Sequence, residues 1–273
     1  MSVPGRRLTV AVVYPDLLGT YGDGGNGAVL ARRAAWRGID VELVQAVSDR
    51  PLPAADLYTI GGGEDGPQVR AATTLLEEGT LAARVAEGAV VLAVCAGFQV
   101  IGTTFPDSAD RIQQGVGLLD LATVKGTGPR AVGELVAVPT ASAPRTAAGD
   151  PLPRLTGFEN HGGVSVVGPG ARPLARVEHG VGNGGGDGTE GAWSGRVLGT
   201  YLHGPVLARN TALADVLLGW ALAPAGSPSG TAAALEPLDD HEELALRAER
   251  LEAVTGARTG GWRAAVRRLS PSR

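Results

Sequence analysis

The segment AVVLAVC, residues 89–95, constrains the fold most strongly. Its first six residues are apolar without interruption, as in a parallel strand that is buried on both faces. Two earlier segments, LTVAVVY at 8–14 and DLYTIGGG at 56–63, also place an apolar strand at the entrance to a loop. Helical patterns separate these strands, and the alternation predicts an α/β fold: a three-layer, doubly wound, mostly parallel sheet.

The rest of the chain predicts further elements. Residues 73–88, TTLLEEGTLAARVAEG, predict one helix that ends at Gly88. From about Gly115, short strands between Gly and Pro turns indicate that antiparallel pairs join the sheet. We expect a compact domain at 1–223, a linker at 224–238 and a helical tail at 239–273 that docks on the domain, contacts a partner or remains loosely tethered.

Composition excludes several classes of function. The formal net charge is -4 and the basic residues are not clustered in the domain, so we expect neither nucleic acid nor an anionic membrane as a partner. No segment reads as a membrane span or a signal peptide. One cysteine, Cys95, permits no intrachain disulfide and no Cys-only zinc site, and the chain fits a reducing cytoplasm.

Cys95 stands where a buried strand ends and a helix begins, with the small residues Ala96 and Gly97 after it. A nucleophile on such a sharp turn points its side chain out of the sheet, and the next backbone N–H can face a developing oxyanion. The alternative is a buried structural cysteine. The local pattern leaves both interpretations open.

A nucleophilic cysteine needs a base, and the chain has four histidines. His203 follows the apolar strand RVLGTYL and precedes a Gly-Pro turn, so it is the best candidate. His161 is a second candidate or a residue of the pocket wall. His179 and His241 lie in segments of surface composition, and we expect them to be solvated.

Three backbone positions are candidate oxyanion donors: Gly62 and Gly63 in the GGG loop, and Ala96 after the cysteine. The loop YGDGGNG at 21–27 is also rich in glycine. It matches neither nucleotide-binding pattern, so we expect no ATP or dinucleotide site in this chain.

Taken together, these motifs resemble the class I glutamine amidotransferases of the cobyric-acid-synthase-like branch. Within that branch the resemblance is to the GatD family, the glutaminase subunits of lipid II isoglutaminyl synthases. It covers roughly residues 8–222 and rests on these segments in order: YGDGGN, LARRAAWRGI, GGGEDGPQ, VCAGFQ, GPRAVGEL, TGFENHGG and GTYLHGP.

The resemblance implies a nucleophile at Cys95, a histidine at His203 and a glutamine-binding arginine at Arg130. It implies no cofactor in this chain and no metal site. The expected partner is a MurT-like Mur ligase in a heterodimer, which holds ATP and Mg²⁺ and amidates D-glutamate of lipid II with ammonia from L-glutamine, in the cytoplasm, for peptidoglycan synthesis. The alternatives are a subunit for cobyric or cobyrinic acid amidation and a non-catalytic partner-binding module.

The sequence departs from many class I enzymes at one point. Those enzymes carry a carboxylate two residues after the histidine, whereas Gly204 and Pro205 follow His203 here. The site is then either a Cys-His dyad or a triad with a distant acid, for which Glu64, Asp65 and Glu159 are candidates. Without such an acid we expect slow glutamine hydrolysis by the isolated subunit.

Overall fold

The computed structural model describes residues 7–224, 227 and 230–256. Nine strands form one sheet: β1 (Leu8–Val13), β2 (Val41–Ala46), β3 (Leu57–Ile60), β4 (Val90–Val94), β8 (Ala131–Pro139), β9 (Leu155–His161), β11 (Arg172–His179), β12 (Thr189–Ser194) and β13 (Val197–Thr200). Four form another: β5 (Thr104–Pro106), β6 (Ile112–Gln114), β7 (Leu121–Lys125) and β10 (Gly163–Val167). The helices are α1 (Gly25–Trp36), α2 (Asp65–Glu78), α3 (Thr80–Ala86), α4 (Ala96–Val100), α5 (Val206–Arg209), α6 (Thr211–Leu222) and α7 (His241–Thr255).

The large sheet joins two kinds of pairing. Its order is β2-β1-β3-β4-β13-β12-β11-β8-β9, and the pairs from β2 through β13 are parallel. The pairs from β13 through β9 are antiparallel. Strand β4 is buried at all five positions, as the sequence predicts for a central strand. The α/β doubly wound prediction is therefore confirmed, together with the antiparallel pairs in the second half.

The helices form two packed groups. Helices α1, α5 and α6 contact one another, and α2 contacts α3 and α4. The single helix predicted over residues 73–88 is wrong, because Gly79 ends α2 in the left-handed region (φ 65°) and α3 begins at the next residue. Glycine adopts that conformation without steric cost, so it ends one helix and allows the next to start in a new direction.

The predicted linker and the predicted tail both contact the domain, through Gly230 and Asp240 respectively. The indole of Trp220 donates a hydrogen bond to the carbonyl of Gly230, and the buried guanidinium of Arg33 forms ion pairs with Asp215 (2.8 Å) and Asp240 (2.6 Å). Helix α7 agrees with the charged helix that the sequence predicts in the tail. The basic end of the chain, residues 257–273, lies outside the described residues.

Among the residues described, no helix combines the length and the apolar character that crossing a bilayer requires.

Candidate active site

Cys95 lies on a strained turn between β4 and α4. Its backbone has φ 54° and ψ -109°, a conformation that residues with a side chain rarely adopt. The sharp turn predicted from the sequence is therefore confirmed. Gly97 lets α4 approach the end of β3, since a Cβ there would lie 2.7 Å from the carbonyl oxygen of Ile60.

His203 follows β13 and lies beside Cys95 at the centre of the large sheet. Its backbone exchanges two hydrogen bonds with Phe158 of β9, which fixes the imidazole's position from the antiparallel side. The side chain is 1% exposed. Its Nδ1 lies 2.8 Å from the Oδ2 atom of Asp23, while Nε2 has no hydrogen-bond partner among the described residues. That nitrogen remains available to the thiol and to substrate.

Asp23 completes a Cys-His-Asp arrangement. It lies in the loop between β1 and α1, is 1% exposed, and accepts a second hydrogen bond from the backbone N–H of Gly62 (2.9 Å). A carboxylate fixed at Nδ1 sets the tautomer and orientation of the ring and stabilises the imidazolium form. Gly62 is where the three residues converge, because a Cβ added there would lie 2.9 Å from His203 Cε1 and 3.5 Å from Cys95 Cβ.

The electrostatics of the site favour a charged imidazole. Burial alone would lower the pKa of His203, but the hydrogen bond to Asp23 and the proximity of Cys95 outweigh it and raise the pKa to about 10. His203 is then protonated at neutral pH. A proton is in place for a leaving group before substrate arrives.

A cavity of about 330 Å³ opens above the nucleophile. Its volume suits a ligand the size of an amino acid or somewhat larger. Arg130 lines it from the loop before β8, and the guanidinium donates to the side-chain and backbone oxygens of Asn160. The cavity therefore places a fixed cation within the same pocket as Cys95.

Residues 9–211 match the CobB/CobQ-like glutamine amidotransferase domain. This chain belongs to that family. It is 32% identical over 251 residues to the lipid II isoglutaminyl synthase (glutamine-hydrolyzing) subunit GatD of Staphylococcus aureus, an alignment that covers 90% of this chain and 95% of that protein. The GatD subunit of Streptococcus pneumoniae is 31% identical, covering 79% and 81%.

Two other likenesses differ in extent. Cobyric acid synthase of Methylobacterium nodulans is 33% identical over 92% of this chain, but the alignment covers 48% of that protein. A solved glutamine amidotransferase structure covers 78% of this chain and 98% of its own, at 21% identity and a TM-score of 0.53. That structural likeness shows the shared amidotransferase fold.

In this amidotransferase domain the carboxylate at His203 Nδ1 is Asp23. None of the three carboxylates suggested by sequence bonds to His203, although Asp65 lines the same cavity as Cys95. Glu159 accepts hydrogen bonds from the backbone N–H groups of Val181 (2.7 Å) and Gly182 (2.9 Å). Glu64 and Asp65 are exposed at the start of α2. The condition stated for slow hydrolysis by the isolated subunit is therefore not met, because a carboxylate does contact His203 Nδ1.

The three candidate oxyanion donors differ in whether their backbone N–H is already bonded and whether the residue lines the cavity. The N–H of Gly62 is bonded to Asp23 and cannot serve as a free donor, so that candidate is wrong. Gly63 and Ala96 line the cavity beside Cys95. Ala96 is the first residue of α4, where a helical N–H has no partner within its own helix. These two positions remain candidates.

The other histidines are not part of the Cys-His-Asp arrangement. His161 lies in the cavity wall, stacked on Tyr201 at 3.7 Å and with Nε2 3.4 Å from Glu159. His179 and His241 are exposed, as the sequence predicts.

Glu190 is a buried carboxylate that accepts hydrogen bonds from Thr200 and from the backbone of Tyr201. Burial raises the pKa of Glu190 to about 7, although these hydrogen bonds oppose the shift.

Proposed function

We propose that this chain hydrolyses glutamine and supplies the ammonia to a separate ATP-dependent ligase that amidates D-glutamate in lipid II. The observation that carries the proposal is the likeness to GatD subunits over nearly the whole of both chains. The Cys95, His203 and Asp23 geometry supports the hydrolytic half of the reaction.

The first half-reaction forms a thioester. The Cys95 thiolate attacks the side-chain amide carbon of glutamine, and backbone N–H groups of Ala96 and Gly63 stabilise the oxyanion. The C–N bond then breaks as His203 Nε2 donates its proton to the nitrogen. Ammonia leaves, and the γ-acyl group remains bonded to sulfur.

The second half-reaction regenerates the enzyme. Neutral His203 takes a proton from water as the water oxygen attacks the thioester carbon. The C–S bond breaks, which releases glutamate and restores the thiolate beside the imidazolium. Asp23 holds the ring in one orientation through both steps.

Arg130 is the proposed contact for the α-carboxylate of glutamine. A guanidinium offers paired N–H donors at the spacing of carboxylate oxygens, and its charge persists at every physiological pH. Recognition of the α-carboxylate favours the free amino acid over glutamine within a peptide chain.

The proposed partner is a MurT-like Mur ligase in a heterodimer. It would hold ATP and Mg²⁺, activate the α-carboxyl group of D-glutamate and receive the ammonia. An ATP-dependent reaction on a lipid-linked precursor is consistent with the cytoplasm as the site of action. The cobyric acid alternative is less well supported, because the matched relative of that class is about twice as long as the aligned region.

The test is release of ammonia and glutamate from glutamine by the chain with and without a MurT-like ligase, ATP, Mg²⁺ and lipid II. Cys95→Ala should abolish release and the amidation that depends on glutamine. Amidation by the same ligase from added ammonium salts should survive in the presence of Cys95→Ala. Unchanged release by Cys95→Ala would refute the hydrolytic role, and transfer to a cobyric acid precursor instead of lipid II would refute the proposed acceptor.

A further inference from the structure

The side chain of Asn160, in the cavity wall, connects Arg130 to Tyr21. Its Oδ1 accepts a hydrogen bond from Arg130 Nε, and its Nδ2 donates one to the hydroxyl of Tyr21. Tyr21 belongs to the loop that carries Asp23, whereas Arg130 precedes β8. The guanidinium can only donate, so it decides which end of the amide faces it, whereas the Tyr21 hydroxyl can donate or accept and does not impose an orientation.

Asn160 contacts one particular edge of the Arg130 guanidinium. Nε donates to the side-chain Oδ1, and Nη2 donates to the backbone carbonyl of the same residue at 3.1 Å. These two nitrogens form the side-on edge of the group. Within the described part of the chain, Nη1 donates no hydrogen bond, so the end-on edge formed by Nη1 and Nη2 keeps both of its N–H donors.

The same residue lies directly over the nucleophile. The carbonyl oxygen of Asn160 is 3.9 Å from Cys95 Sγ, so the residue that fixes the guanidinium also lies at the reacting centre. Arg130 is exposed, and a long exposed cation without such support samples many rotamers. A carboxylate that binds to an ordered guanidinium loses less affinity to side-chain ordering.

We propose that Asn160 is a positioning residue for substrate recognition. It holds the side-on edge of Arg130 so that the end-on edge faces the cavity and takes the α-carboxylate of free glutamine. This inference rests on the proposed glutaminase function and adds the residue on which selectivity for the free amino acid depends.

The test compares glutamine with 4-aminobutanamide, which has the same side-chain amide and amino group but no α-carboxylate. Asn160→Ala should lower the ratio of kcat/KM for glutamine to that for 4-aminobutanamide by about tenfold, mostly through the KM for glutamine. Tyr21→Phe is the matched control. It removes the other hydrogen bond of the Asn160 amide and should leave the ratio within about twofold.

Alkylation of Cys95 by iodoacetamide, a neutral reagent, separates recognition from damage to the nucleophile. Its rate should be the same in wild type and Asn160→Ala. An equal loss of activity on both substrates would overturn the inference, since a general structural defect lowers both, and so would a wild type that does not prefer glutamine. A wild type whose glutamine hydrolysis does not depend on Cys95 would instead overturn the proposed function itself.

Discussion

The two halves of the large sheet contribute different parts of the site. Asp23 and Cys95 lie on loops that follow the parallel strands β1 and β4, and both are buried. Asn160 lies on the antiparallel strand β9 and Arg130 in the loop before β8, and both are more exposed. The parallel half thus holds the buried reacting groups, whereas the antiparallel half presents more exposed groups to the substrate.

Strand β13 joins these halves, and His203 follows it. β13 pairs with β4 in parallel and with β12 in antiparallel register. The imidazole is bonded to Asp23 from one half, and the His203 backbone is bonded to Phe158 from the other. The comparison predicts that changes in the parallel half and at this junction lower kcat, and that changes in the antiparallel half raise KM.

The largest effect is expected at the junction. His203→Gln keeps a polar side chain of similar size but removes the group that transfers protons, so kcat should fall by about 10³- to 10⁴-fold. Steady-state glutamate release measures this, with circular dichroism as the control for folding. A loss of less than tenfold would mean that another group transfers the proton, and His161 in the cavity wall would be the first to test.

A smaller loss of kcat is expected at Asp23. Asp23→Asn keeps the shape but removes the charge that stabilises the imidazolium, so kcat should fall by about 10²- to 10³-fold. The pH profile gives a second readout. Because Asp23 helps to raise the pKa of His203 to about 10, the alkaline limb of the profile should move to lower pH in the variant.

Asp23→Asn should also alter how the free energy of unfolding depends on pH. His203 has a pKa of about 10 in the folded protein, against an ordinary value of 6.5. The stability that its charged form adds to the fold is therefore fully present below pH 6.5 and is lost as pH rises through 10. The difference in unfolding free energy between wild type and Asp23→Asn should therefore shrink over that range. Urea unfolding at several pH values measures it, and a difference that grows with pH would contradict this account.

How much of this site the sequence predicts differs from residue to residue. Cys95 and His203 can be found because each follows a largely apolar strand, and the chemistry of a thiol and an imidazole is specific. Asp23 lies in a loop whose glycines suggest only a tight turn or a phosphate site. Its role depends on the sheet order, which brings the ends of β1, β3 and β4 side by side, and strand order is not encoded in local periodicity.

Backbone donors are harder still to predict. The GGG loop suggests that Gly62 and Gly63 are equivalent, yet one N–H binds Asp23 and only the other residue lines the cavity. The choice depends on how the loop packs against a residue 39 positions earlier in the chain. The break at Gly79 could have been found, since a glycine between two helical runs is a frequent C-terminal signal.

In the antiparallel half, Arg130→Met should act on binding. It keeps much of the aliphatic stem but removes the cation, so the KM for glutamine should rise by about 10- to 100-fold while kcat changes little. Arg130→Lys is the control for charge alone, and it should recover only part of the loss because an ammonium cannot grip a carboxylate with a planar fork. An Arg130→Met variant with lower kcat and unchanged KM would contradict the assignment of substrate binding to the antiparallel half.

The smallest effect tests how rigid the parallel half is. In Gly62→Ala, the new methyl group would lie 2.9 Å from His203 Cε1 and 3.2 Å from Asp23 Oδ2, so the ring or the carboxylate must shift. Overpacking of a buried site costs about 1–3 kcal/mol, and kcat should fall by roughly tenfold with little change in KM. Gly66→Ala is the matched control, because a Cβ there has open space within α2 and activity should stay within about twofold. If Gly62→Ala retained full activity, the His203 ring would tolerate displacement, and the parallel half would not hold the reacting groups in one geometry.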